Sequence, residues 1–137
     1  MKLAPNATNM CFGCGGANDR GMQLEFEADE ATKRIRGNFR LAAEYQGGAG
    51  YLHGGIIALL MDEAMGKLTR FRDVRAVTAE LTVEYLKPIP VEQDITIEAF
   101  ETDAKGRNLF YSSEIRNAIG DLLARGRGRF VAIQQRT

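Results

Sequence analysis

An antiparallel β-sheet wrapped around one central helix, an α+β architecture, is what this sequence predicts, and three observations carry the prediction. The first is a single helix-length segment, Ile56 to Arg70, apolar on almost every side as far as Met65. A helix that is apolar all round belongs inside a core rather than on a surface. The second is the order of the segments around it, two strand-like stretches before and four after. The third is the brevity of the connections between those strands, which favours antiparallel meander pairing over crossovers.

Taken in order, Met22-Gln23-Leu24-Glu25-Phe26-Glu27 alternates apolar and polar residues with period two, the mark of a half-buried strand. Lys33 to Phe39 reads as its return partner across a turn at Asp29-Glu30-Ala31-Thr32, giving an antiparallel hairpin. From Gly47 to Gly55 five of nine residues are glycine, a density that implies tight or left-handed backbone, or close approach by another group. The helix follows, with Gly66 as its one breaker. Val77 to Leu86, Ile95 to Thr102, Leu109 to Asn117 and Leu122 to Ala132 are the later strands, bounded by Lys87-Pro88-Ile89-Pro90, Ala104-Lys105-Gly106-Arg107 and Ala118-Ile119-Gly120-Asp121. In the first of these the odd positions from Val77 to Tyr85 are apolar and the even ones from Thr78 to Glu84 polar, so one face is expected in the core and the other in solvent. With no repeat, low-complexity tract or linker, residues 1–137 read as one domain in which 1–21 form a Gly- and Cys-containing N-terminal segment.

Composition narrows the function classes. Eighteen Lys plus Arg balance eighteen Asp plus Glu, leaving no basic excess for a nucleic-acid backbone and no acidic excess to keep the chain unfolded. The three arginines of Ala124-Arg125-Gly126-Arg127-Gly128-Arg129-Phe130 superficially resemble an RNA-binding segment, but strand patterning makes them one face of a β-strand. The longest apolar run, Ile56 to Met61, has six residues, whereas a membrane-spanning helix needs roughly 20. No apolar stretch follows Lys2, so no secretory signal is expected and the cytoplasm is the expected address. Cys11 and Cys14 form a Cys-Phe-Gly-Cys motif, yet a structural zinc takes about four ligands, and His53 is the one further Cys or His in the chain. No metal is therefore expected, and a reduced, partly buried turn is the preferred reading.

The chemistry concentrates at the helix. Leu52-His53-Gly54-Gly55 runs straight into it, so the Gly54 and Gly55 amides lie among the first-turn N–H groups that lack intrahelical acceptors. With the positive end of the helix dipole behind them, they can donate to a developing oxyanion. Two carboxylates follow. Glu63 is in line with Lys67 and Arg70, which reads as a solvated salt-bridge face. Asp62 shares its face with Gly55, Ala58, Leu59, Met65, Gly66 and Thr69, with no cation in line, and a carboxylate so placed is a functional candidate. Gly54 and Asp62 are eight residues apart, about 12 Å along a helix, too far for both to act on one carbonyl. Two antiparallel copies of the helix remove the difficulty, so a two-fold dimer is expected, each site combining Asp62 of one chain with Gly54 of the other.

The run Gln46-Gly47-Gly48-Ala49-Gly50-Tyr51-Leu52-His53-Gly54-Gly55 through Asp62 to Gly66 resembles the signature of PaaI-like hotdog-fold acyl-CoA thioesterases. Cys11 to Gly15, Asn18 to Leu24, and Thr78 through Tyr85-Leu86-Lys87-Pro88 are similar to the same family. The resemblance implies a hotdog fold and hydrolysis of an acyl-CoA thioester, with no cofactor. It implies Asp62 as nucleophile or general base, Gly54 with Gly55 as oxyanion donors, His53 as a positioning residue, and Thr78 as the group orienting Asp62 or water. Gln46 and Asn18 would contribute polar contacts to the substrate. Lys87 and Arg107, with Arg125, Arg127 and Arg129, are candidate cations for the CoA phosphates. Ala49 and Asp19 stand where the family commonly has proline, which bears on loop shape and acyl preference. The expected partners are the acyl-CoA and further copies of the chain, as a homodimer or a dimer of dimers. The competing readings are a non-catalytic acyl-CoA sensor and a hotdog 3-hydroxyacyl thioester dehydratase, whose His-Phe-Pro-Gly loop is absent.

Overall fold

The structure, a computed structural model, describes residues 1–135. Seven strands form one sheet: β1 (Lys2–Leu3), β2 (Phe26–Asp29), β3 (Arg34–Arg40), β4 (Val74–Tyr85), β5 (Asp94–Lys105), β6 (Asn108–Asn117) and β7 (Leu122–Gln135). Their order across the sheet is β1-β2-β3-β5-β6-β7-β4, and every pairing is antiparallel. One helix, α1 (Gly54–Gly66), runs between the third and fourth strands of the chain and buries Ile57, Leu60, Met61, Ala64 and Met65. These side chains meet Phe26, Ile35, Ile97, Tyr111, Ile115 and Phe130 from the sheet. The α+β reading of the sequence is correct.

Several boundaries differ from the sequence reading for local reasons. The strand expected from Met22 begins only at Phe26, as β2, because Gln23 takes a left-handed φ of 50° and Met22 and Leu24 donate their amides to the Phe12 and Gly13 carbonyls instead of joining the sheet. The helix ends at Gly66 and tightens into a 3-10 segment over Lys67–Arg72, with Asp73 in a left-handed cap at φ 52°. Two short pieces, β1 and a 3-10 turn at Ala43–Tyr45, carry no periodicity to read. No helix among the described residues is long and apolar enough to cross a membrane.

Two features of the sheet position the chemistry. On β7, Gly126 and Gly128 lie under the helix, where a Cβ on Gly126 would stand 2.7 Å from Met61 Sδ. Glycine there lets α1 lie close to the strand. On β4 the pairing with β7 slips between Thr78 and Glu80, Thr78 facing Phe130 and Glu80 facing Arg129. This β-bulge at Ala79 switches the face of the strand. It overturns the simple alternation expected from the sequence: Thr78 joins Leu81, Val83 and Tyr85 on the helix side, while Glu80, Thr82 and Glu84 face outward with the β7 arginines. The apolar side of β4 reaches the core only in part: Val83 packs against it, whereas Leu81 and Tyr85 remain exposed.

Candidate active site

The bulge brings Thr78 to the helix. Its hydroxyl donates to Asp62 Oδ1 at 2.6 Å. Asp62 is half-buried and lines an open cleft of about 510 Å³ together with Leu3, Gly66, Ala76, Thr78 and Phe130. The cleft lies between the two edge strands, β1 and β4, where the curved sheet leaves one side of α1 uncovered. One carboxylate oxygen is thus held by a hydroxyl, and the group faces a space open to a small molecule.

The start of the helix forms the second part. His53 is the N-cap residue, and its Nδ1 accepts the Gly55 N–H at 2.8 Å. The neutral ring then carries its proton on Nε2, on the exposed side. Since the Gly55 amide is taken by His53, it is not free as a second oxyanion donor. The Gly54 N–H has no hydrogen-bond acceptor among the described residues. Tyr85, on the helix side of β4, donates its hydroxyl to the Gly54 carbonyl at 2.7 Å and so fixes the first peptide of α1. Sequence reasoning missed this contact; its one signal was Tyr85 sharing a strand parity with the apolar positions. Behind the helix start, the Gln46 side-chain oxygen accepts the Gly50 N–H at 2.9 Å and closes the glycine loop, with Gly50 at φ 84°.

The remaining candidates divide between the two ends of the sheet. Tyr85, next but one to Lys87, faces Ala124 on β7, and Asn108, next to Arg107, faces Val131. Seven residues of strand separate these points, roughly 24 Å. Lys87 therefore lies with Gln46, His53 and Gly54 at one end, where it pairs with Asp121 at 3.5 Å. Arg107 lies in the β5–β6 turn, at the end that holds Asp62 and Thr78. Asn18 belongs to the N-terminal segment, its amide bonded to the Met10 carbonyl and its oxygen accepting from the Arg20 N–H. Arg125 and Arg129 are engaged by Glu84 and Glu80 at 2.9 and 2.7 Å, leaving Arg127 with no salt bridge among the described residues. The protomer does not bring all of the candidates together.

Glu63 departs from its expected role on a solvated charged face. The N-terminal segment lies over it, Cys11 Sγ stands 3.4 Å from its Oε1, and it forms no salt bridge with Lys67 or Arg70 among the described residues. Burial pushes the Cys14 thiol up to about 11, with Lys67 pulling it down and the Glu63 carboxylate raising it further.

The family model of the thioesterase superfamily matches residues 49–124. Acyl-coenzyme A thioesterase THEM4 of Rattus norvegicus is 32% identical over 101 residues, covering 72% of this chain and 44% of that protein, so the chain spans less than half the length of this relative. Among solved structures, a protein described as a thioesterase superfamily protein superposes with a TM-score of 0.82 at 28% identity, covering 89% of this chain and 60% of the other. The E. coli PaaI protein from the phenylacetic acid degradation operon superposes at 0.71 with 23% identity, covering 77% of each chain. The fold in common is the hotdog fold, an antiparallel sheet around one central helix.

Proposed function

The chain belongs to the thioesterase superfamily, whose family model matches more than half of it, and from that premise we propose that it hydrolyses the thioester of an acyl-CoA to the free acid and CoA. The observation that carries the proposal is the hydrogen bond of Thr78 to Asp62 at 2.6 Å beside an open cleft, with an unengaged Gly54 amide at the far end of the same straight helix. A thioester carbonyl is activated enough to need one carboxylate and one oxyanion donor. Asp62 attacks the carbonyl carbon or deprotonates the water that does so, and Thr78 holds one of its oxygens so that the other is aimed at the substrate. As the tetrahedral centre forms, negative charge moves onto the carbonyl oxygen, and the Gly54 N–H receives it at the positive end of α1. Collapse expels the CoA thiolate, which takes up a proton; when water is the attacking group this leaves the free acid directly, and when Asp62 attacks it leaves an Asp62–acyl anhydride that a water then hydrolyses to the free acid and the restored carboxylate.

Asp62 and Gly54 of one protomer are about 12 Å apart along the helix, so a complete site takes them from two chains. Strand β4 supports this arrangement. It is an edge strand of twelve residues, with Val77 50% and Tyr85 54% exposed, and a long edge carrying exposed apolar side chains is a template for pairing with another chain. Pairing β4 with its symmetry copy would set the Asp62 end of one protomer beside the Gly54 end of the other. The same operation would bring Lys87 of one chain to the side of Arg107 of its partner, flanking the CoA phosphates with cations.

The test is thiol release from short, medium, long and aryl acyl-CoAs by the wild type and Asp62→Asn at equal folded concentration. Turnover of at least one class, with a loss of roughly 10²-fold or more in the variant, supports the reading. Equal rates for the two proteins reject Asp62 as the acting carboxylate. Binding of acyl-CoA without turnover by either replaces hydrolysis with sensing.

A further inference from the structure

One cluster of side chains plays no part in the proposed reaction. Cys11, Cys14 and Glu63 bring two sulfurs and a carboxylate oxygen to within 4.8 Å of one another, although Cys11 and Glu63 are 52 residues apart in the chain. The loop that carries the cysteines is tightly made. Gly15 donates its amide to the Cys11 carbonyl at 2.8 Å, and Asn9 Oδ1 accepts the Cys11 N–H at 2.7 Å. Gly13 sits so close to the helix that a Cβ there would stand 2.6 Å from the Glu63 carboxyl carbon, so the loop is seated directly against that carboxylate.

A tetrahedral zinc bound through sulfur at about 2.3 Å and oxygen at about 2.1 Å holds its ligand atoms roughly 3.5 to 3.8 Å apart. The Cys11 to Glu63 distance of 3.4 Å already lies near one such edge, and the others close with shifts of about 1 Å. Thiolate ligands select zinc over magnesium or calcium. Charge balance points the same way: two thiolates and a carboxylate carry three negative charges, and a divalent cation plus the Lys67 ammonium, whose charge acts on the Cys14 thiol, cancel them. Counting Cys and His in the sequence falls short because the third ligand is a carboxylate supplied by the helix.

We infer that Cys11, Cys14 and Glu63 form a zinc site with water in the fourth position, tying the N-terminal segment to α1 one residue from Asp62. Binding replaces the two thiol protons, which leave to solvent. The site is a clamp that shares Glu63 with the lining of the cleft, and it does not depend on the thioesterase reading.

The full chain, reduced and stripped of metal, is titrated with Co²⁺ as a spectroscopic probe and then with Zn²⁺. One cobalt per chain is expected, with a thiolate charge-transfer band and the strong visible bands of tetrahedral cobalt, all abolished by zinc. Cys11→Ser and Cys14→Ser, checked for folding by circular dichroism, lose the charge-transfer band or halve it. Loss of a partner that merely orients a ligand costs 10-fold or more in affinity, so Glu63→Gln weakens binding by at least about tenfold. Saturating zinc raises the Tm of the wild type by roughly 5 °C. A reduced wild type with no thiolate band overturns the inference, as does cobalt binding that both serine variants retain unchanged. Glu63→Gln binding as tightly as the wild type removes the third ligand and overturns it equally.

Discussion

Thr78 holds Asp62 through a single hydroxyl, which makes its contribution separable from that of the carboxylate itself. A hydrogen bond to a charged group is worth about 1.5–3 kcal/mol, so Thr78→Ala is expected to lower kcat by roughly 10- to 100-fold, with KM changed little. Thr78→Ser, which keeps the hydroxyl, should stay within a few-fold of the wild type; steady-state kinetics on the best acyl-CoA checks both. Tyr85 acts one step further back. Removing its hydroxyl in Tyr85→Phe frees the Gly54 carbonyl it holds at 2.7 Å and should cost about 1 kcal/mol of stability, seen as a fall in Tm of roughly 3 °C. How legible these residues are follows from the range of the forces that place them. Asp62 stands out in the sequence because an unpaired carboxylate among apolar helix neighbours is costly, a property written in residues three and four positions away. Thr78 does not, because on a regular strand it would share the outward face of Glu80 and Thr82, and a bulge leaves no mark in the alternation. Its role could be read from the family resemblance, and the contact itself from the fold.

The elements show the same division. Strand-length segments set off by short polar turns located β3, β5, β6 and β7 to within a few residues, because short connections between antiparallel strands punctuate the chain locally. The N-terminal segment was harder to read: its covering of Glu63 depends on where a chain about fifty residues distant returns, and no local periodicity encodes that. The spacing of helix and sheet lies between these cases. Gly126 reads in sequence as part of an arginine-glycine alternation, yet its position sets how closely α1 lies on β7, with Met61 Sδ and Ser113 Oγ standing 2.7 and 3.0 Å from where its Cβ would be. Gly126→Ala should therefore overpack this layer at a cost of about 1–3 kcal/mol, and Met61→Ala should leave a cavity worth about 2–5 kcal/mol. Because each substitution relieves the defect of the other, the double variant is expected to be more stable than the sum of the two losses by about 1 kcal/mol or more. Urea unfolding of the four proteins measures this, and strict additivity would mean that the helix shifts to accommodate the methyl group.

At the scale of the whole molecule the question is whether a complete site needs two chains. Each protomer carries a carboxylate at one end of α1 and an unengaged amide at the other, and the rigidity of a straight helix forbids them from meeting. The two halves can be silenced separately. Asp62→Asn removes the carboxylate. Gly54→Pro removes the amide proton and little else: Gly54 is the first residue of the helix, where proline is well tolerated, and His53 before it already has φ −62° and ψ 135°, the extended backbone that a following proline requires. A Cβ at Gly54 would meet the Tyr85 ring at 3.5 Å, an ordinary contact. Alone, Gly54→Pro should lose roughly 10²- to 10³-fold in kcat, as for the loss of one oxyanion donor. Mixed, unfolded and refolded together in equal amounts, the two inactive variants should regain about a quarter of wild-type activity, because half of the dimers are then mixed and each of these holds one intact site. If both groups of a site came from the same protomer, every chain in the mixture would be defective and no activity would return.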